Sequence, residues 1–203
     1  MEYARSVAVY RELRAVVGAW ASENGYKRQP RTDASWTRPL GSGENLIFSF
    51  RCNPWGGGAL GGNSFHGYVQ SEPSGGPPGS AINRQSDISL CLLQGELDEL
   101  REIQNAINRK RPRTPELAEW MREDSPVGES TRELYKQYAA GEKPYRVGDF
   151  ATFGYYGIED VRRHTWFLVR HLPDIAARFV EGRVATANPV PQPAFFAKLQ
   201  PKT

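Results

Sequence analysis

The first stretch of the chain places apolar side chains at helical spacing. Residues three or four positions apart lie on the same face of a helix. The residues at this spacing are Tyr3, Val7, Tyr10, Leu13, Val17 and Trp20. Asn24 and Gly25 follow, and glycine readily adopts the left-handed conformation that ends many helices. The pattern therefore predicts an amphipathic N-terminal helix that ends near Gly25.

A pattern of period two then predicts strands. Residues 46–52 alternate two sets of side chains, which point to opposite faces of a sheet. One set is Leu46, Phe48, Phe50 and Cys52, and the other is Ile47, Ser49 and Arg51. Residues 65–70 are expected to pair with this strand and to place His66, Tyr68 and Gln70 on one face. Further strands are predicted at residues 35–38 and, from an apolar run, at residues 88–93.

Helical periodicity returns in the second half of the chain. Two apolar stripes predict helices: Leu93, Leu97, Leu100, Ile103 and Ile107, and then Val161, Thr165, Leu168, Leu172, Ile175 and Phe179. Between them, Thr114 and Ser130 have the residues of helix starts, and the second of these helices is expected to end at Gly141. Pro173 interrupts the last stripe, so a kink or break is expected near Leu172. Residues 148–156 are compatible with a strand or an aromatic loop.

The order of these elements predicts the fold class. One helix, then strands, then helices, without an alternating strand–helix–strand rhythm, favours an α+β fold. The expected architecture is an antiparallel sheet of three to five strands, on which N-terminal, central and C-terminal helices pack. Residues 1–182 are expected to form a single domain, and the proline-rich residues 183–203 an extended C-terminal tail. Residues 53–63 and 71–80 are two loops rich in glycine and proline.

Composition and charge narrow the classes of function. The 26 basic and 23 acidic residues give a formal charge of +3, which is too small to imply nucleic acid or an anionic membrane as an obligate partner. No apolar run is long enough to predict a membrane-spanning helix, and no secretory signal is visible. Cys52 and Cys91 form no CxxC pair and are expected to be reduced core thiols. These features predict a cytoplasmic protein.

Motifs for cofactors, metals and nucleophiles are incomplete. Residues 56–61 match the glycine pattern of dinucleotide-binding loops, but a strand is predicted after them where that site requires a helix. Ser64 lies in a segment that lacks the last glycine of a nucleophile elbow. His66, His164 and His171 show no metal-binding spacing, and the last two are expected at the surface beside arginines. No metal and no cofactor are therefore predicted.

Aromatic residues supply most of the candidate binding residues. The candidates are Trp55, His66, Tyr68, Tyr155, Tyr156 and Trp166. Trp55 lies in the first glycine-rich loop, the two adjacent tyrosines lie between glycines, and Trp166 lies off the apolar stripe of the last helix. We expect these residues to be exposed, as suits a recognition surface. The alternative is a tryptophan that folds back over an edge of the sheet.

Four segments carry a resemblance to known proteins. They are the end of the first helix at 23–27, the strand 46–52, the glycine-rich link into residues 65–69, and residues 170–175. This layout resembles small uncharacterised bacterial α+β domains, some of which are encoded beside polymorphic toxins as immunity proteins. The long second loop and the proline-rich tail depart from that layout. The resemblance implies a binding role and lends no site residues.

Three functions follow from these observations. The first is a non-catalytic cytosolic binding protein, of the immunity-like kind, that neutralises a bacterial toxin by binding it directly. The second is a small enzyme or biosynthetic accessory protein that binds an aromatic or acidic small molecule on a sheet face. There His66 would act as the base, and Arg51 and Tyr68 as polar anchors. The third is nucleic-acid binding through the basic residues 109–113 with Arg162 and Arg163, which would show a steep dependence on salt.

Overall fold

The computed structural model describes residues 4–29, 34–41, 43–53, 63–75, 82–110, 122, 124 and 145–188. These residues contain three α-helices and six strands. In chain order the elements are α1 (Ser6–Glu23), β1 (Lys27–Arg28), β2 (Ser35–Leu40), β3 (Glu44–Cys52), β4 (Asn63–Pro73), β5 (Arg84–Asp87), α2 (Gln94–Arg109), β6 (Phe153–Tyr155) and α3 (Ile158–Val180). A short 3-10 helix, Ile88–Cys91, lies between β5 and α2. The predicted α+β fold is confirmed.

Every strand pair in the described sheet is antiparallel. The order is β1-β2-β3-β4-β5, and β6 pairs with the first residues of β4. The sheet therefore has one strand more than the upper limit expected. β1 has two residues and β6 has three, which is too few for alternation to be recognised in a sequence.

The alternation in β3 and β4 decides which face of the sheet lies under the helices. The buried side chains of one face are Leu46, Phe48, Phe50, Phe65 and Val69. Both α1 and α3 contact this face: the ring of Trp20 lies 6.1 Å from Phe48, and the ring of His164 lies 6.0 Å from Phe65. We call it the inner face, and the opposite side of the sheet the outer face.

Helix α1 buries a stripe that differs in part from the predicted one. Its buried residues are Val9, Leu13, Val17 and Ala21. Tyr10 and Trp20 pack partly buried against the same core, whereas Val7 is 74% exposed. Val7 lies two positions from Val9, and at about 100° per residue it is turned to the far side of the helix. The expectation that Val7 faces the core is therefore wrong, while the end of the helix near Gly25 (φ +77°) is confirmed.

Helix α3 runs without interruption through Pro173. It is continuous from Ile158 to Val180, so of the kink or break predicted near Leu172 the break is wrong, and the kink stays a prediction. Pro173 is exposed, and Leu172 and Ile175 on either side of it are fully buried. The same core therefore holds both halves of the helix, and this burial outweighs the one helical hydrogen bond that proline removes.

Residues 88–93 do not form the predicted strand. The strand lies just before them, in the polar residues of β5, and a 3-10 helix follows. The Asp87 side chain accepts a hydrogen bond of 2.8 Å from the backbone N–H of Ser89 and so caps that helix. A short apolar run does not distinguish a buried strand from a buried helical turn, and here the apolar residues belong to the turn.

Strand β6 resolves the ambiguous residues 148–156, and side chains close its outer edge. The Gly154 N–H donates to Gln104 Oε1 at 3.2 Å, and Gln104 Nε2 donates to the Gly154 carbonyl oxygen at 3.4 Å. The same oxygen lies 2.9 Å from His164 Nε2. An open strand edge invites pairing with another chain, and these two side chains occupy the place of a further strand.

Gly67 of β4 lies where the inner face has no room for a side chain. A β-carbon at this position would lie 2.7 Å from Ile88 Cδ1 and 3.0 Å from Phe50 Cε1, and both neighbours are buried. We expect Gly67→Ala to lower the free energy of unfolding by about 1–3 kcal/mol, the usual cost of overpacking, in urea denaturation. Gly95 of α2 has open space around it, so Gly95→Ala is the control and should not destabilise. Equal losses at both positions would contradict the close packing at Gly67.

Several predictions fall outside the described residues. They are the helix starts at Thr114 and Ser130, the basic run beyond Lys110, the glycine pattern at 56–61, the greater part of both glycine-rich loops, Trp55, and the tail beyond Asn188. After α3, residues 183–188 remain hydrogen-bonded to the rest of the fold. The Ala185 N–H donates to the Leu90 carbonyl at 2.9 Å, and the Asn188 N–H donates to the Gly148 carbonyl at 2.7 Å.

Candidate functional site

The outer face of the sheet carries a set of mainly polar side chains. The register of the strands aligns them in rows: Arg51 and His66, then Ser35, Ser49, Tyr68 and Asp87, then Thr37, Ile47, Gln70 and Gln85. Among the described residues, the core that the helices build does not include Ile47 or Tyr68. This face is therefore distinct from the core. Ser35, Ile47, Ser49 and Asp87 on it are buried, whereas Arg51 is exposed and His66 and Tyr68 are partly buried.

Arg51, His66 and Tyr68 share this outer face, as the alternation predicts. Arg51 and His66 are direct partners across β3 and β4, and the β-carbons of such partners lie about 4.5–5.5 Å apart. The rings of His66 and Tyr68 are nearly parallel, with an interplanar angle of 18° and 6.4 Å between their centroids. We call these three residues the candidate site.

Arg51 has no counter-ion among the residues that the structure describes. Its side chain is exposed. Other arginines of the fold are neutralised: Arg162 Nε lies 3.1 Å from Glu12 Oε1, and Arg178 binds Glu96. Because no described residue neutralises the Arg51 guanidinium, we expect its charge to be available to a binding partner.

Asp87 belongs to the outer face, although the sequence analysis did not single it out. It lies across from Tyr68 and is buried. Burial raises its pKa, the hydrogen bonds from Ser89 and the positive charge of His66 lower it, and the net result is a raised pKa. The capping pattern of Asp87 and Ser89 was visible in the sequence. The position of Asp87 beside the candidate site depends on the register of β5 and was not.

Tyr155 and Tyr156 are buried, so the expectation that they are exposed is wrong. Tyr155 ends β6 and points to the inner face, with its ring 6.2 Å from that of Phe65. Burial is the main cause that raises the pKa of its hydroxyl well above the ordinary value. The glycines on both sides of Tyr155 and Tyr156 favoured an exposed loop. The pairing of β6 with β4 instead places the two tyrosines in the interior.

Trp166 is exposed, as expected, with 60% of its surface accessible. It lies on α3, whose contacts with the sheet are on the inner face. Trp166 therefore points away from the side of the molecule that carries His66 and Tyr68. The structure therefore separates Trp166 from His66 and Tyr68, and one flat binding surface cannot include all three residues.

His164 is fully buried, and its expected position at the surface is wrong. Its ring stands edge-on to Phe65 and Phe153, with centroids 6.0 and 5.4 Å away. His164 Nε2 is held by the Gly154 carbonyl, and among the described residues Nδ1 has no hydrogen-bond partner. Burial is the dominant effect and lowers the pKa of His164 to about 4. The imidazole is thus a neutral core side chain at neutral pH.

His171 is part of an ion-pair cluster between α3 and α2. Its Nε2 lies 3.0 Å from Glu99 Oε2, and its Nδ1 lies 3.4 Å from Glu96 Oε1.

Within the described parts of the chain, no group of three or more His, Cys, Asp or Glu side chains is placed to hold a metal ion. Cys52 and Cys91, both described, are not joined in a disulfide, and burial, the largest influence, raises the pKa of Cys91 to about 11.

Neither a search for membrane-spanning helices nor comparisons with known proteins indicate a function. No helix among the described residues is both long enough and apolar enough to cross a membrane. A scan against protein-family models, a search of curated proteins and a search of solved structures each find no match to this chain.

Proposed function

We propose that the protein is a non-catalytic binding protein that contacts a protein partner through the outer face of its sheet. In this proposal it acts as an immunity-like protein does, by covering a functional surface of a toxin. The observation that supports it best is the placing of Arg51, His66 and Tyr68 side by side on the face that lies opposite the helices. Arginine and tyrosine are among the residues that contribute most to binding energy at protein interfaces.

The way these side chains are held also favours binding. All three extend from the central strands β3 and β4, which are paired along nine residues. Side chains on paired strands are positioned more rigidly than side chains on loops. A rigid surface loses little conformational freedom when a partner binds, so more of the contact energy contributes to affinity.

The test is the affinity of single variants for the partner that co-purifies with the full chain from its native host. We expect Tyr68→Ala to weaken binding by about 2 kcal/mol, roughly 30-fold, because it removes an aromatic contact at the centre of the interface. Val7→Ala, a change at an exposed position of α1, is the matched control and should bind like the wild type. The absence of a stoichiometric protein partner, or unchanged binding by Tyr68→Ala, would contradict the proposal.

Asp87 supports a second candidate, the capture of an aromatic or acidic small molecule at the same face. A buried carboxyl group with a raised pKa beside a histidine and a tyrosine is an arrangement that often accompanies catalytic sites. Native mass spectrometry of the full chain from its host should then show a bound small molecule that His66→Ala loses. A spectrum with no added mass, or a ligand that this variant retains, would count against the second candidate.

A further inference from the structure

We propose that the group recognised by the candidate site is a carboxylate of an acidic protein partner. This inference rests on the proposed function and specifies the chemistry of the partner. Arg51 and His66 are direct cross-strand partners. One carries a permanent positive charge, and the other is positive when protonated. An anion seated between them contacts both groups at once.

The Arg51–His66 pair places two basic side chains directly opposite each other on neighbouring strands. In α3, Arg170 pairs with Glu99, and His171 contacts the same carboxylate. For Arg51 the described residues provide no such partner. An exposed arginine beside a histidine, with no carboxylate partner in the part of the chain that the structure describes, is suited to take its counter-charge from another molecule.

Asp87 is not placed as the counter-ion of Arg51. It lies across from Tyr68 in the next row, not across from His66. Its carboxylate is already engaged by the backbone N–H of Ser89 at 2.8 Å. Asp87 therefore weakens the positive potential on the Tyr68 side of the site and is not the carboxylate partner of Arg51.

The charge of the outer face favours a carboxylate over the phosphates of a nucleic acid. A nucleic acid follows an extended positive surface and displaces many counter-ions. Here the chain has a formal charge of only +3, and Glu72 and Asp87 lie on the same face. One guanidinium matches one carboxylate in a two-pronged hydrogen bond, and the Tyr68 ring beside it provides an apolar wall.

The test is an NMR titration of the full chain with a capped pentaglutamate peptide at low salt. We expect shift changes at Arg51, His66 and Tyr68, and at least about tenfold weaker binding by Arg51→Gln, because a hydrogen bond to a charged group is lost. Arg163→Gln, at an exposed position of α3, is the matched control and should bind like the wild type. His66→Gln, measured in parallel, should weaken binding in the same direction.

Three results would overturn the inference. They are the absence of shift changes at the candidate site, equal weakening by Arg51→Gln and Arg163→Gln, and tighter binding of an oligothymidylate than of the peptide with a steep salt dependence. None of these results depends on the isolated protein partner. If that partner still binds through Tyr68, the proposed function stands and only the carboxylate is rejected.

Discussion

Replacing Arg178 with alanine is expected to lower the free energy of unfolding by about 3 kcal/mol, near the lower end for a broken buried ion pair. Arg178 is only 6% exposed in its side chain and joins α3 to the start of α2. Its Nη1 donates to Glu96 Oε2 and to the Cys91 carbonyl, each at 2.6 Å. The variant leaves a largely buried Glu96 carboxylate without its cation and a buried carbonyl without its donor. Urea denaturation measures this loss.

Arg170 provides the matched control for this prediction. It lies on the same helix and also binds a glutamate of α2, Glu99, but its side chain is 59% exposed. Solvent screens an exposed pair, so Arg170→Ala should cost no more than about 1 kcal/mol. Equal losses in the free energy of unfolding for the two variants would show that burial of the Arg178–Glu96 pair does not determine how much the pair stabilises the fold.

Acidification is expected to destabilise the protein through His164. The pKa of this histidine is lowered from 6.5 to about 4 in the folded protein, so the unfolded chain takes up the proton first. Neutral His164 therefore makes its full contribution to the free energy of unfolding above about pH 6.5, and this contribution is lost as the pH falls towards 4. Between pH 7 and pH 5 this loss amounts to roughly 2 kcal/mol, at about 1.4 kcal/mol for each pH unit below 6.5.

The variant His164→Gln isolates this contribution. Glutamine does not titrate, and its amide can still donate a hydrogen bond to the Gly154 carbonyl. We expect urea denaturation at pH 7 and pH 5 to show a smaller acid loss in this variant than in the wild type, by about 2 kcal/mol. Val7→Ala, a change at an exposed position of α1, should retain the acid loss of the wild type. An unchanged acid loss in His164→Gln would mean that other groups cause it.

The candidate site could be predicted from the sequence because it depends on a local pattern. The period-two alternation of β3 and β4 determines that Arg51, His66 and Tyr68 point away from Phe48 and Phe50. Two neighbouring strands of matching pattern are expected to pair, and their pairing brings the three residues together. The placement of these three residues on one face needs no contact with a distant part of the chain.

Residues whose positions depend on distant contacts could not be predicted. Tyr155 and His164 are buried because β6 pairs with β4 and α3 packs over both, and nothing in the local pattern shows that a tyrosine or a histidine will be buried. Asp87 reaches the outer face through the register of β5, whose polar residues did not look like a strand. The same holds for Pro173. Proline locally disfavours a continuous helix, but the buried residues on both sides of it hold the helix together.

Photo-crosslinking in the native host tests the central claim, that the outer face is the binding surface. A benzoylphenylalanine residue replaces Tyr68 in one form of the full chain and Trp166 in another. We expect a cross-linked protein adduct from position 68 and none from position 166, because Trp166 lies on a helix that packs on the opposite side of the sheet. An adduct from position 166 alone would assign the binding surface to α3 and would contradict the proposed function.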